Sequence, residues 1–243
     1  MTMITKNEIK KAASLRQQKY RKELGLFVVE GRKMVEELLR SGFAVKSLYA
    51  TNAYIDLFPQ AETVSEMQME QMSGQDTPPG ILAVVSIPTT QHLSPSPKLI
   101  LALDGIAHPG NMGTIIRTAE WFGIRDIVCS TDCVEVWNPK VIQATMGSIF
   151  RANIIEANLT QFLPEQHHQG RAVYGALLEG ENLFEMKKHE KGIIVIGSES
   201  HGIRESVLPF ISHPITIPRV DASLTESLNA SVAAGIIMAE LTR

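Results

Sequence analysis

The sequence predicts an α/β protein in two parts: a smaller α/β unit, then a larger one built on a mostly parallel sheet. Three observations predict this. Short apolar runs alternate with helical patterns along most of the chain, as expected for strands covered by helices on both faces of a sheet. A polar, proline-dense stretch, PTTQHLSPSP at residues 88–97, breaks that alternation and marks an exposed linker. The 243 residues are 44% hydrophobic and 20% charged, enough for a sizeable core and unlike a disordered, collagenous or disulfide-stapled chain. The expected division is a first domain over 1–86, a linker over 87–97 and a second domain over 98–243.

In the first domain, Lys6 to Leu24 reads as helical and carries Lys10, Lys11, Arg16, Lys19, Arg21 and Lys22 around Tyr20. Such a cluster beside an aromatic can track a phosphate backbone, which makes these six candidate nucleic-acid contacts. Charge alone equally fits the solvated face of an amphipathic helix. LFVVEG then reads as a buried strand and RKMVEELLRSG as a helix stopped by Gly42. VKSLYA, ETVS and ILAVVSI supply further short β runs. The net charge of −3 hides an asymmetry: residues 1–50 hold 11 Lys/Arg against 5 Asp/Glu, whereas residues 51–243 hold 12 against 21.

In the second domain KLILALD, IRDIVCS, AVYGALL, GIIVIGS and PITIP are the apolar runs. Familiar glycine and metal motifs fail. Gly197 to Gly202 has P-loop spacing but continues Ile203-Arg204, without the lysine. The first strand leads into DGIAHPGNMG rather than a dinucleotide fingerprint, which disfavours a nicotinamide enzyme. HEKGI misses the second histidine of H-E-x-x-H, and G-x-S-x-G does not occur. Cys129 and Cys133 are too few for a disulfide framework or a four-cysteine site and read as core or strand residues of a reduced, intracellular protein. No apolar run reaches the roughly 18 residues of a membrane span, and the start lacks a leader's apolar region, so a cytoplasmic protein is expected.

Ligands in open α/β sheets collect outside the carboxyl ends of strands, which directs attention to the loops after Leu103, Ile196 and Ile217. The first, DGIAHPGNMGTIIRTAEWFG, offers Asn111 as an N-cap and a helix burying Met112, Ile115, Ile116, Ala119 and Phe122. Arg117 on that helix either faces a ligand or pairs with Glu120. The second, IVIGSESHGIRE, brackets Glu199 between glycines, as a turn or as a functional carboxylate. The third, ITIPRVDASLTESLNASVAAGIIMAEL, brings Ser227 and Asn229 to the start of a small-residue helix, as caps or as ligand contacts.

Taken together, N-M-G-x-x-x-R, then IGSExxxG, then IP with SLNAS, in this order at successive strand ends, resembles the SpoU (TrmH-like) branch of the SPOUT RNA methyltransferases. The opening SLRQQKYRKELGLFVVEGRKMVEELL is similar to the substrate-binding domain of its rRNA-modifying members. The resemblance implies a knotted α/β catalytic domain, a C-terminal trefoil knot that composition could not reveal. It implies methyl transfer from S-adenosylmethionine (AdoMet) to a ribose 2′-hydroxyl of RNA, without a metal, by a homodimer. Carried over position by position, Leu177, Gly197, Ile217 and Leu228 hold the cofactor, and Asn111, Arg117, Glu199, Ser227 and Asn229 form the polar catalytic site. Arg117 is expected to position the phosphate beside the target ribose, since a guanidinium is a poor base.

Two features depart from the family pattern: His108 stands where an aspartate is usual, and the loop over 219–226 is about two residues longer. A complete N-terminal domain favours large-subunit rRNA over tRNA, by fold-level analogy. A non-catalytic RNA-binding or ribosome-assembly factor is the alternative from another class.

Overall fold

The computed structural model describes residues 4–89, 92–220 and 224–243. It divides into two compact units, Met1–Thr90 with Glu135–Phe150, and Gln91–Val134 with Arg151–Arg243. Neither is one continuous segment, because residues 135–150 fold with the first unit.

The first unit opens with α1 (Lys6–Ser14) and α2 (Gln18–Leu24), where the sequence reads as one helical stretch. The break has a physical cause. Leu15 turns into the core, and Arg21 follows it, donating from Nη1 to the carbonyls of Leu15 and Arg16 that the end of α1 leaves open, both at 2.8 Å. Thr5 and Glu8 form a reciprocal capping box at the start of α1. Then come β1 (Leu26–Glu30), α3 (Arg32–Leu39), β2 (Val45–Ala50), β3 (Glu62–Thr63), α4 (Glu66–Met72) and β4 (Ile81–Ser86). The sheet order is β1-β4-β2-β3, with β4 antiparallel to both neighbours. α1 and α4, with Leu15 just beyond α1, cover one face through Ile9, Ala12, Leu15, Met69 and Met72.

The second unit contains β5 (Leu99–Asp104), α5 (Pro109–Trp121) and β6 (Asp126–Cys129). The chain then forms α6 (Pro139–Thr145) within the first unit, and continues with β7 (Asn153–Glu156), α7 (Leu159–His168), β8 (Ala172–Asn182), β9 (Gly192–Gly197), β10 (His213–Thr216) and α8 (Ala230–Thr242). All six strands run parallel in the order β10-β8-β9-β5-β6-β7. Full burial of β9 and of Ile100–Asp104 in β5 explains their unbroken apolar runs. From β5 the chain moves outward through β6 to β7. It then crosses to the other side, where β9 is inserted between β8 and β5. That reversal of direction creates a crevice at the carboxyl ends of β5 and β9. No helix among the described residues is long and apolar enough to cross a membrane.

Candidate active site

The three polar loops converge within the second unit. His108 is the N-cap residue of α5, without a side-chain cap bond, and Pro109 is the first helical residue. Asn111 therefore lies inside the first turn, which corrects the expectation that it caps the helix. Its side chain instead crosses to the next loop, where Nδ2 donates to Glu199 Oε1. Its Oδ1 accepts from Asn229 Nδ2 at 3.2 Å. Asn229 is the N-cap of α8, and its own Oδ1 accepts from the amides of Ser231 (2.9 Å) and Val232 (3.4 Å). Capping thus fixes Asn229, Asn229 orients Asn111, and Asn111 holds Glu199.

Beside this chain of bonds is a cavity of about 1000 Å³, lined by Leu177, Gly197, Glu199, Ile217, Ser227 and Leu228 among others. The four residues expected to hold a cofactor all line it, as do Glu199 and Ser227. Gly197 is dictated by packing: a Cβ there would lie 2.0 Å from the carbonyl carbon of Gly202. Apolar walls interspersed with polar and charged side chains, in a volume at the upper end of the common range, suit a nucleoside-sized ligand with a charged tail.

Arg117 is exposed six residues along α5 from Asn111, and no hydrogen bond or ion pair engages it among the described residues. Its expected alternative partner, Glu120, binds Arg151 instead, Nε to Oε1 at 2.8 Å. Met112, Ile115, Ile116 and Ala119 are buried as the periodicity predicts, with Phe122 half-buried at the C-cap. Part of the longer loop, residues 221–223, lies outside the described residues.

Sequence reasoning missed Asp104, Asp132 and Arg204. Asp104 is fully buried at the end of β5 and binds Arg204. The available signal was an aspartate closing an apolar strand, a charge that needs a partner once buried. Nearby, Cys133 lies at about 7, drawn down by hydrogen bonds from Cys129, Ser130 and the amides of Ile106 and Gly105 against the opposing effect of burial. Cys129 is pushed well up by its bond to Cys133 and by burial.

In the first unit, Lys10, Lys11, Lys19 and Lys22 are exposed, and Lys19 sits over the Tyr20 ring. Arg16 is exposed but donates to the Gln71 carbonyl at 2.8 Å. Arg21 corrects the expectation for the basic cluster. It is 1% exposed, and beyond its two carbonyl partners it bonds Glu135, with Nε at 3.1 Å from both carboxylate oxygens. Its charge faces inward because the α1–α2 break needs a multivalent donor there, so it cannot contact RNA.

A parallel α/β unit with a ligand-sized cavity and converging polar loops at its switch point defines a binding or group-transfer domain. Residues 98–239 match the SpoU rRNA Methylase family and residues 6–83 the MRM3-like substrate binding domain, and the chain belongs to the SpoU rRNA methylase family. It is 29% identical over 240 residues to the 23S rRNA (guanosine(2553)-2′-O)-methyltransferase RlmP of Bacillus subtilis, covering 96% of this chain and 95% of that protein. A TrmH-family protein from Porphyromonas gingivalis superposes with a TM-score of 0.90 at 37% identity, over 99% and 98% of the two chains. An AdoMet-bound rRNA methyltransferase from Sinorhizobium meliloti gives 0.88 at 26%, over 99% and 96%.

Proposed function

We propose that this protein transfers the methyl group of AdoMet to a ribose 2′-hydroxyl in structured RNA, with large-subunit rRNA as the favoured substrate. The observation that carries this reading is the chain Asn229–Asn111–Glu199 beside the cavity at the switch point. The names of the B. subtilis and S. meliloti relatives support rRNA and AdoMet.

Bound AdoMet supplies an already activated methyl donor, so the protein's task is to place a weak nucleophile and manage its proton. Leu177, Ile217 and Leu228 form apolar walls for the cofactor, and the backbone at Gly197 lets the chain approach closely. Arg117, presented to solvent and without a partner among the described residues, binds the phosphate next to the target ribose and stabilises charge developing on the hydroxyl oxygen. Asn111, Glu199 and Asn229 keep the loops in register, and Ser227 faces the cavity beside Leu228. The basic face of the first unit, without Arg21, holds the RNA backbone.

Two further features of the family belong to the same proposal. α8 is apolar around most of its circumference, with Val232 exposed near small residues Ala233 and Gly235, which suits packing against a second copy. The C-terminal segment is read as threading the family's knot.

Mapping ribose 2′-O-methyl sites in rRNA and tRNA from cells with and without the gene tests the substrate. A site lost from large-subunit rRNA supports the proposal. A loss confined to tRNA reassigns the substrate, and RNA binding without AdoMet binding in calorimetry would mark a non-catalytic factor.

A further inference from the structure

The turn that carries Glu199 has little apolar packing to hold it. Glu199, Ser200, His201 and Gly202 are exposed, and of the residues from Ser198 to Ile203 only Ile203 is buried. Polar bonds hold the turn instead, including one from the His201 amide to Ser198 Oγ at 3.2 Å. Ser198 and Gly202 exchange a pair of backbone bonds, 3.0 Å each, which closes it into a compact unit. One residue further on, Arg204 anchors it. The Arg204 amide donates to Asp104 Oδ2 at 2.8 Å and its Nε to Asp104 Oδ1 at 2.7 Å, with Nη2 also on Oδ1. Nη1 reaches Asp132 Oδ1 at 3.2 Å. The first aspartate is fully buried at the tip of β5, and the second lies in the loop after β6.

We propose that Arg204 is a positioning residue. By joining the loops after β5, β6 and β9 it sets the turn at the height where Glu199 accepts the bond from Asn111, and so acts through Glu199 without touching RNA or cofactor. A guanidinium fits this role because its planar fork holds its donors in fixed directions toward both carboxylates, whereas an ammonium is a point charge on a flexible stem. The inference rests on the reading of the site given above.

The test is the side-chain amide signal of Asn111 in ¹⁵N NMR of the full-length, ligand-free protein, assigned by its loss in Asn111→Ser. Glu199→Gln gives the signal's position when the bond is altered. In the double variant Asp104→Asn with Arg204→Gln no buried charge is stranded. There the Asn111 signal should move to the Glu199→Gln position, and kcat for methyl transfer should fall about 100-fold with KM for RNA unchanged. Arg204→Lys should give a partial shift, which covers the case in which the double variant does not fold. An unmoved Asn111 signal in either folded variant overturns the proposal. Because the signal is read without ligands, absence of methyl transfer by the wild type would count against the proposed function and leave the positioning role of Arg204 to be decided by the signal alone.

Discussion

Asn111, Glu199 and Asn229 are joined by side-chain bonds that tie together the polar segments following β5, β9 and β10. Each is a candidate in the sequence because it lies in a polar segment that follows an apolar run, and such segments gather at the carboxyl edge of a parallel sheet. Their mutual bonds were not legible, since the partners are 88 and 118 residues apart. Asp104 and Arg204, 100 residues apart, escaped notice for the same reason. Arg21 shows the converse limit: its charge was visible, but the direction of its side chain depends on the break after α1. Arg21→Ala should therefore act on stability, costing about 3–5 kcal/mol because Glu135, its side chain only 10% exposed, loses its partner. Urea denaturation measures this, and a loss of RNA affinity at unchanged stability would contradict it. Gly197→Ala should be worse tolerated than a typical overpacking change of about 1–3 kcal/mol, because the added methyl meets backbone rather than a movable side chain. Thermal unfolding within a few degrees of wild type would contradict that.

The buried strands were plain from composition, whereas β7 and α6 were not. NIIE is too short and half-polar to stand out, and α6 owes its place to packing in the first unit. There Trp137, just before it, stacks on Phe27 at 4.8 Å, and Phe150, beyond it, meets Phe43 at 5.5 Å. No local pattern shows where such a segment will dock. β10 should make stability depend on pH. Its first residue, His213, lies 4.6 Å from the His189 ring and 5.5 Å from Tyr174. Burial, and then the neighbouring His189, hold His213 below its ordinary value, with Glu181 opposing. As pH falls below about 6.5 the unfolded chain takes up a proton that the folded chain resists, so stability should fall with pH in that window. His213→Gln should flatten the difference between urea midpoints at about pH 7.5 and about pH 5.5. An equal difference in wild type and variant would contradict the assignment.

At the scale of the molecule, the net charge of −3 is the sum of a basic start and an acidic remainder. Replacing Lys10, Lys11, Lys19 and Lys22 with Gln should weaken RNA binding and reduce the slope of log affinity against log salt by about 1 for each phosphate no longer neutralised, with AdoMet binding unchanged. This is a cleaner test than removing residues 1–86, which would uncover Trp137 and Phe150 by taking away Phe27 and Phe43. An unchanged slope would move the RNA-binding face elsewhere. The central claim, methyl transfer to ribose, is tested most directly with the full-length protein, methyl-labelled AdoMet and rRNA from cells lacking the gene, digested to nucleosides after reaction. The label should appear in a 2′-O-methylnucleoside, and Arg117→Ala should abolish it while retaining AdoMet in calorimetry. Label on a base, or no transfer to RNA by the wild-type protein, would contradict the account.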